Sequence, residues 1–252
     1  VWITVSVGKD APAGDYTGKV RLVCDGKPVA VVPFSVHVWD FALPEQSHVK
    51  AIYDVGLGDG EKHWKKSASE AYAEIVPFMA RRRLCPNMIQ PGPVLRYQDG
   101  RASADFSQFD KAAKHYFRDL KLPHAYTPWE FYLFGWGFPP KAMFGEHPYP
   151  GDPPYDKADR SRLRPEYKKV YQACLKLFWD HVKENGWQDK FVLYISDEPF
   201  FSEPHIRRQM KALCDMIHEV DRKIPIYSST WRHVPEWDGY LDIWGIGHYG
   251  VV

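Results

Sequence analysis

The chain has 252 residues, with 33 Lys and Arg against 32 Asp and Glu and a formal net charge of +1. Charge this close to neutral argues against electrostatic capture of nucleic acid or an anionic membrane, and no stretch approaches the roughly 20 apolar residues of a membrane helix. Aromatic residues make up 15%, including 10 Trp and 15 Tyr, enough to fill a large core and to offer flat faces on which a sugar ring can stack.

Residues 1–40 read as antiparallel β structure. Trp2 to Val7 alternates with period two, Asp10-Ala11-Pro12-Ala13-Gly14 supplies turn chemistry, Tyr16 to Val23 is a second strand, and Asp25-Gly26 turns it into a third strand from Val29 to Trp39. So few strands cannot bury a core alone. Residues 1–44 are therefore expected to be the C-terminal part of a β-sandwich domain. There is no signal peptide, and a chain that opens directly in a strand reads as the middle of a protein.

From residue 45 the pattern changes to alternating strand and helix. Val49 to Tyr53 is a short strand. Ala68, Ala71, Tyr72, Ile75 and Met79 recur at helical spacing, and Arg81-Arg82-Arg83 suits the C-terminus of that helix. Pro86 to Ile89 predicts a strand, and Phe106, Phe109, Ala113, Tyr116, Phe117 and Leu120 an amphipathic helix. His124 to Phe134 predicts a strand whose Pro128 must lie near its end or at a bulge. The stretch from Gly135 to Tyr155 is a long loop dense in Pro, Gly and aromatics, read as an active-site wall. Pro165 opens a helix with a stripe of Tyr167, Val170, Tyr171, Cys174, Leu177 and Phe178, closed by Gly186. Lys190 to Ser196 is a buried strand. Ser202 is expected to cap a helix carrying Ile206, Met210, Leu213, Ile217 and Val220, and Ile224 to Thr230 and Leu241 to Gly247 complete the strands.

Repeated strand–helix units predict an α/β fold with a parallel sheet, best fitted by a (β/α)8 TIM barrel over residues 45–252. A full barrel takes about 250 residues and only about 210 follow the first module, so the barrel is expected to be incomplete at its C-terminus. Cys24, Cys85, Cys174 and Cys214 show no metal-ligand spacing and read as buried free thiols.

The chemistry concentrates in Phe191-Val192-Leu193-Tyr194-Ile195-Ser196-Asp197-Glu198-Pro199. A run of apolar and β-branched residues ends in two acids and a proline that cannot extend a ladder. Strand C-termini are where parallel α/β folds keep their active sites. Pro199 restricts Glu198 to extended or turn geometry, which lets both carboxylates reach one pocket. Adjacent like charges favour one of them keeping its proton, a role that suits Glu198 as a proton donor. Further candidates follow from position alone: Trp129, Glu130 and Tyr132 near the end of the third strand, Trp231 and Arg232 after the fifth, and Trp244, His248 and Tyr249 around the sixth.

Three stretches carry a family resemblance. Lys9-Asp10-Ala11-Pro12-Ala13-Gly14-Asp15-Tyr16-Thr17-Gly18, Val38-Trp39-Asp40-Phe41-Ala42-Leu43-Pro44 and Ser196-Asp197-Glu198-Pro199 resemble, in that order, the sandwich module, the junction and the catalytic strand end of glycoside hydrolase family 123. Leu241-Asp242-Ile243-Trp244 is a weaker match to a later strand. The resemblance implies a β-N-acetylhexosaminidase, typically acting on N-acetylgalactosamine, that uses the sugar's own 2-acetamido oxygen as nucleophile. Asp197 would orient that group and Glu198 would act as general acid and base. It also implies a glycan or glycoconjugate substrate, no metal or other cofactor, and a secreted or periplasmic location. Two alternatives stay open: a two-carboxylate retaining glycosidase using Glu198 with Glu130, and a non-catalytic carbohydrate-binding protein on the same fold.

Overall fold

The computed structural model describes residues 2–44, 47, 51–56, 62 and 64–247. The chain divides into two compact units, residues 1–45 and 46–252.

In the first unit, β1 (Gly14–Cys24) and β2 (Lys27–Val38) form an antiparallel ribbon. Asp25 and Gly26 join them, both in the left-handed region that a tight two-residue hairpin turn requires. The register sets Tyr16, Val20 and Leu22 opposite Val36, Val32 and Ala30, and Gly18 opposite Phe34. One face of the ribbon is thus apolar throughout, and Asp15, Thr17, Lys19 and Arg21 lie on the other. Phe34 lays its ring over Gly18, where any Cβ would strike it. The expected strand from Trp2 to Val7 does not form: these residues make no ladder. Their alternation is a pattern without a neighbouring strand, and none of the unit's described residues is buried. Among the described residues the ladder of this unit is a two-stranded ribbon.

The second unit is a mixed α/β structure whose parallel strands follow chain order. β3 (Ile52–Tyr53) pairs with β4 (Cys85–Pro86). The Tyr126 N–H donates to the Asn87 carbonyl at 2.7 Å, linking β4 to β7 (Ala125–Tyr126). β7 pairs with the start of β9 (Phe191–Asp197), and β8 (Phe134–Gly135) pairs with its end. β10 (Ile226–Thr230) and β11 (Ile243–Ile246) complete the order. Among the described residues no ladder joins β11 back to β3. The expected strand from Val49 begins only at Ile52; Val49 and Lys50 lie outside the described residues.

Two departures from the expected elements have clear causes. The third strand is split: Pro128 has no N–H for the ladder, and Trp129–Phe131 forms a single 3-10 turn between β7 and β8. A hairpin of β5 (Val94–Gln98) and β6 (Arg101–Asp105) is inserted where the sequence reading had no element. Its Asp99-Gly100 turn, again left-handed at both residues, is the Asp-Gly hairpin signal of β1–β2 repeated.

Helices lie between the strands, four of them wholly within the described residues. α1 (Ala68–Ala80) opens on a Ser67/Glu70 capping box, each side chain meeting the other's backbone N–H. α2 (Ser107–Lys114) runs into a π-helical turn at His115–Asp119. α3 (Pro165–Glu184) buries Tyr167, Val170, Tyr171, Cys174, Leu175, Phe178, Trp179 and Val182, while Leu177 is only half-buried. Gly186 follows it with φ +69°, as a left-handed helix stop requires. α4 (Pro204–His218) starts without a side-chain cap. Ser202 does not take that role, because the chain enters the helix at Glu203-Pro204, where proline's fixed φ sets the first turn. Phe109, Phe178, Trp187 and Phe191 pack edge-on in the core between α2, α3 and β9. Cys85, Cys174 and Cys214 are buried free thiols, and burial pushes all three up in pKa. Cys24 is instead exposed, since its ribbon buries nothing.

Candidate active site

β9 supplies the centre of the site through an irregularity in its ladder. Tyr194 pairs with Tyr227, but Ser196 pairs with the next residue, Ser228, so β9 carries one extra residue. In a regular strand Tyr194 and Asp197, three apart, would point to opposite faces. The bulge cancels the odd residue and puts them on one face. The Tyr194 hydroxyl accordingly donates to Asp197 Oδ1 at 2.8 Å, and Ser229 Oγ from β10 donates to the same oxygen at 2.6 Å. Both protein donors fall on Oδ1, which orients Asp197 and leaves Oδ2 for a ligand.

Glu198 is held by its backbone. Its N–H donates to the Ser229 carbonyl and to Ser229 Oγ, each at 3.1 Å. Ser229 Oγ therefore accepts from Glu198 and donates to Asp197, tying the two acids to one hydroxyl. Glu198 sits at φ +42°, a conformation that costs a non-glycine residue and that clusters at functional sites. Of the geometries expected before Pro199, the chain takes the turn and not the extended arm. Both acids are half-buried, and among the described residues only the backbone of Glu198 is engaged in hydrogen bonds.

Aromatic rings form the wall beside Asp197. Trp129 stacks on Tyr132 with centroids 4.1 Å apart, and Tyr132 meets Tyr194 edge-on at 5.4 Å. Tyr126, Tyr194 and Tyr227 contact one another at 4.9–5.6 Å. Trp129 keeps 46% of its surface exposed, leaving ring face for a ligand. Burial, and next the charge of Asp197, push the Tyr132 hydroxyl up to about 12, so it stays a neutral donor. Burial likewise raises Tyr126, Tyr194 and Tyr227. Gly135 keeps the Tyr132 hydroxyl close to Asp197: a Cβ there would lie 3.1 Å from that hydroxyl and 3.9 Å from the Asp197 Cβ.

A third carboxylate, which the sequence reading missed, stands on the same edge. Asp54 follows β3 by one residue, and its Oδ1 accepts from Asn87 Nδ2 at 3.0 Å, one residue past β4. The charges of Asp54 and Asp197 both bear on the Tyr126 and Tyr227 hydroxyls. Asp54, Asn87, Tyr126, Asp197 and Ser229 thus line up along the C-terminal ends of successive parallel strands, where ligands bind in such folds. A carboxylate just past an apolar strand was the available signal, the same one that marks Asp197.

The remaining candidates separate. Glu130 is exposed in the 3-10 turn and lines a cavity of 210 Å³ with Met88, Gln90, Tyr126 and Trp129; neither Asp197 nor Glu198 lines it. Trp231 is exposed just past β10. Trp244 packs on Trp237 and His233, with centroids 6.3 and 4.9 Å away. His248 and Tyr249 lie outside the described residues. The long loop after β8 starts against the acid pair: the Trp136 N–H donates to the Asp197 carbonyl at 2.9 Å, and the Phe200 N–H to the Trp136 carbonyl at 3.0 Å. Buried Arg160 and Gln209 clamp it, donating to the carbonyls of Gly137 and Phe138 at 3.0 Å each.

A parallel α/β unit with oriented acids and stacked aromatics at its strand ends has the make-up of a carbohydrate-active enzyme. The profile described as "Glycoside hydrolase 123, catalytic domain" matches residues 62–237, more than half of the chain, and the chain belongs to that family. Among solved structures it is similar to a family 123 glycoside hydrolase from Clostridium perfringens, studied for glycolipid glycan hydrolysis, at a TM-score of 0.62 and 14% identity. The match covers 96% of this chain and 46% of that one, so the chain spans about half the length of its structural relative. No curated protein matches it.

Proposed function

We propose that this chain carries the catalytic site of a glycoside hydrolase that removes terminal β-linked N-acetylhexosamine, N-acetylgalactosamine first among them, with help from the substrate's acetamido group. The observation that carries this reading is the Asp197–Ser229–Glu198 arrangement. One acid is oriented through a single oxygen, and its sequence neighbour is turned by a left-handed backbone and held by the same serine. Sequence neighbours cannot easily flank a glycosidic bond from opposite faces, as a two-carboxylate mechanism requires. They can share one side of the sugar if the ligand supplies the nucleophile.

In this mechanism Asp197 Oδ2 accepts the acetamido N–H. The acetamido oxygen attacks the anomeric carbon as the glycosidic C–O bond breaks, and Glu198 protonates the departing oxygen. Glu198 then takes a proton from water as that water attacks the anomeric carbon and releases the acetamido oxygen. Trp129 and Tyr132 stack against the sugar, and Asp54 accepts from ring hydroxyls remote from the anomeric centre. The reading extends to a (β/α)8 barrel preceded by a β-sandwich module, with the boundary near residue 44, and to a secreted or periplasmic protein.

Two chromogenic substrates test it on the complete protein. An aryl β-N-acetylgalactosaminide should be cleaved and the matching β-galactoside, which lacks the acetamido group, should not. Equal cleavage of both would exclude substrate assistance.

A further inference from the structure

On the turns that follow β9 and β10, the strands that carry the acid pair and Ser229, lies a cavity of 290 Å³ lined by Phe201, Ser202, Arg207, Arg232, His233 and Glu236 among others. Its position is set by the same two strands: Phe201 is three residues beyond Glu198, and Arg232 three beyond Ser229. The Phe201 N–H donates to the Pro199 carbonyl at 2.7 Å, which folds this wall back on the turn that carries Glu198.

The charges of the cavity are unevenly matched. Arg207 meets Glu236 at 3.4 Å and donates to the Phe201 carbonyl. His233 meets Asp238 at 2.7 Å. Arg232 has no carboxylate partner among the described residues; its guanidinium lies 4.9 Å from the centroid of the Phe201 ring. A guanidinium held over an aromatic ring by cation–π attraction keeps its fork of N–H donors for a ligand. That fork matches a planar carboxylate in two parallel hydrogen bonds. A positive group on the turn that follows the acid-bearing strands does not help to hold a neutral sugar; it suits an anion on the leaving-group side of the bond.

We propose that this cavity is a subsite for the aglycone sugar, with Arg232 recognising a carboxylate on it, so that the enzyme prefers N-acetylhexosamine linked to a uronic acid. This rests on the hydrolase reading above and adds the chemistry of the residue released.

The test compares two disaccharides that differ at one carbon: β-N-acetylgalactosamine linked to glucuronic acid, and the same sugar linked to glucose. The wild-type enzyme should cleave the acid form with kcat/KM about 10-fold or more above the neutral form, in line with the strength of charge-assisted hydrogen bonds. Arg232→Gln should bring that ratio close to one, and Arg232→Lys should restore only part of it because it keeps the charge and loses the fork. The preference should shrink with added salt. A wild-type ratio of one, or a variant that loses both substrates equally, would overturn the proposal. Calorimetry with free glucuronate provides a readout that needs no turnover, and binding that is indifferent to Arg232→Gln overturns the subsite even in an active enzyme. If glucuronate binds through Arg232 but neither disaccharide nor the aryl substrate is cleaved, the subsite stands and the hydrolase reading fails.

Discussion

Ser229 is the residue through which the site holds together. Its hydroxyl accepts from the Glu198 N–H and donates to Asp197 Oδ1, so Ser229→Ala should loosen both acids. Hydrogen bonds to a charged group contribute about 1.5–3 kcal/mol, and the expected loss is roughly 10- to 100-fold in kcat, read from steady-state kinetics on the aryl substrate. Tyr194→Phe removes only the second donor to Asp197 and should cost less. Glu198→Gln should lower kcat by about 10²–10⁴-fold, the usual contribution of general acid–base catalysis. The loss should be greater for a sugar aglycone than for an activated aryl one, which needs little protonation to depart; an equal loss on both would remove Glu198 from the role of acid. Asp197 and Glu198 were legible as candidates because acids rarely end an apolar strand without a use. Ser229 and Tyr194 were not, since a serine in an Ile-Tyr-Ser-Ser-Thr strand carries no mark of what it faces.

At the scale of elements, the bulge in β9 decides which side chains meet Asp197. The neighbouring β10–β11 pair shows how closely the strands are fitted. Ser229 pairs with Gly245, and a Cβ on Gly245 would run into the Tyr227 hydroxyl and its ring. Gly245→Ala should therefore destabilise the unit by about 1–3 kcal/mol, as overpacking does, seen as a lower denaturant midpoint. Combining it with Tyr227→Phe should recover part of that loss by removing the hydroxyl. The helices were read well from sequence because their stripes repeat over three or more turns: the α3 stripe from Tyr167 to Phe178 needed one correction, at Leu177. The short strands were read less well. Two-residue elements such as β3, β4, β7 and β8 carry too little pattern to bound, and Pro128 split a strand that hydrophobicity alone drew as continuous. Asp99-Gly100 signals the β5–β6 hairpin in the same way as Asp25-Gly26 signals the first ribbon.

Over the whole molecule, the buried hydroxyls set a limit at alkaline pH. Burial raises Tyr116, Tyr126, Tyr167, Tyr171 and Tyr194 above the ordinary phenol value of 10.0. The unfolded chain loses these protons near its ordinary pKa while the folded chain keeps them. Their contribution is complete below about pH 10 and falls as pH rises further. Stability should thus drop steeply above pH 10, with tyrosinate absorbance appearing together with loss of near-ultraviolet circular dichroism; smooth titration of all tyrosines in a chain that stays folded would contradict this. By itself the sequence determined the class of fold, the order of its helices and the stretch that ends in Asp197-Glu198, because periodicity and the cost of placing charge at a strand end are local properties. Only the tertiary structure decided that Tyr194 shares a face with Asp197, that Ser229 bridges the acid pair, that Asp54 joins their edge and that Trp244 packs on Trp237. Those relations join residues as distant in sequence as Asp54 and Asp197, 143 positions apart, and strand register and a single extra residue set those around Asp197, which no local pattern encodes.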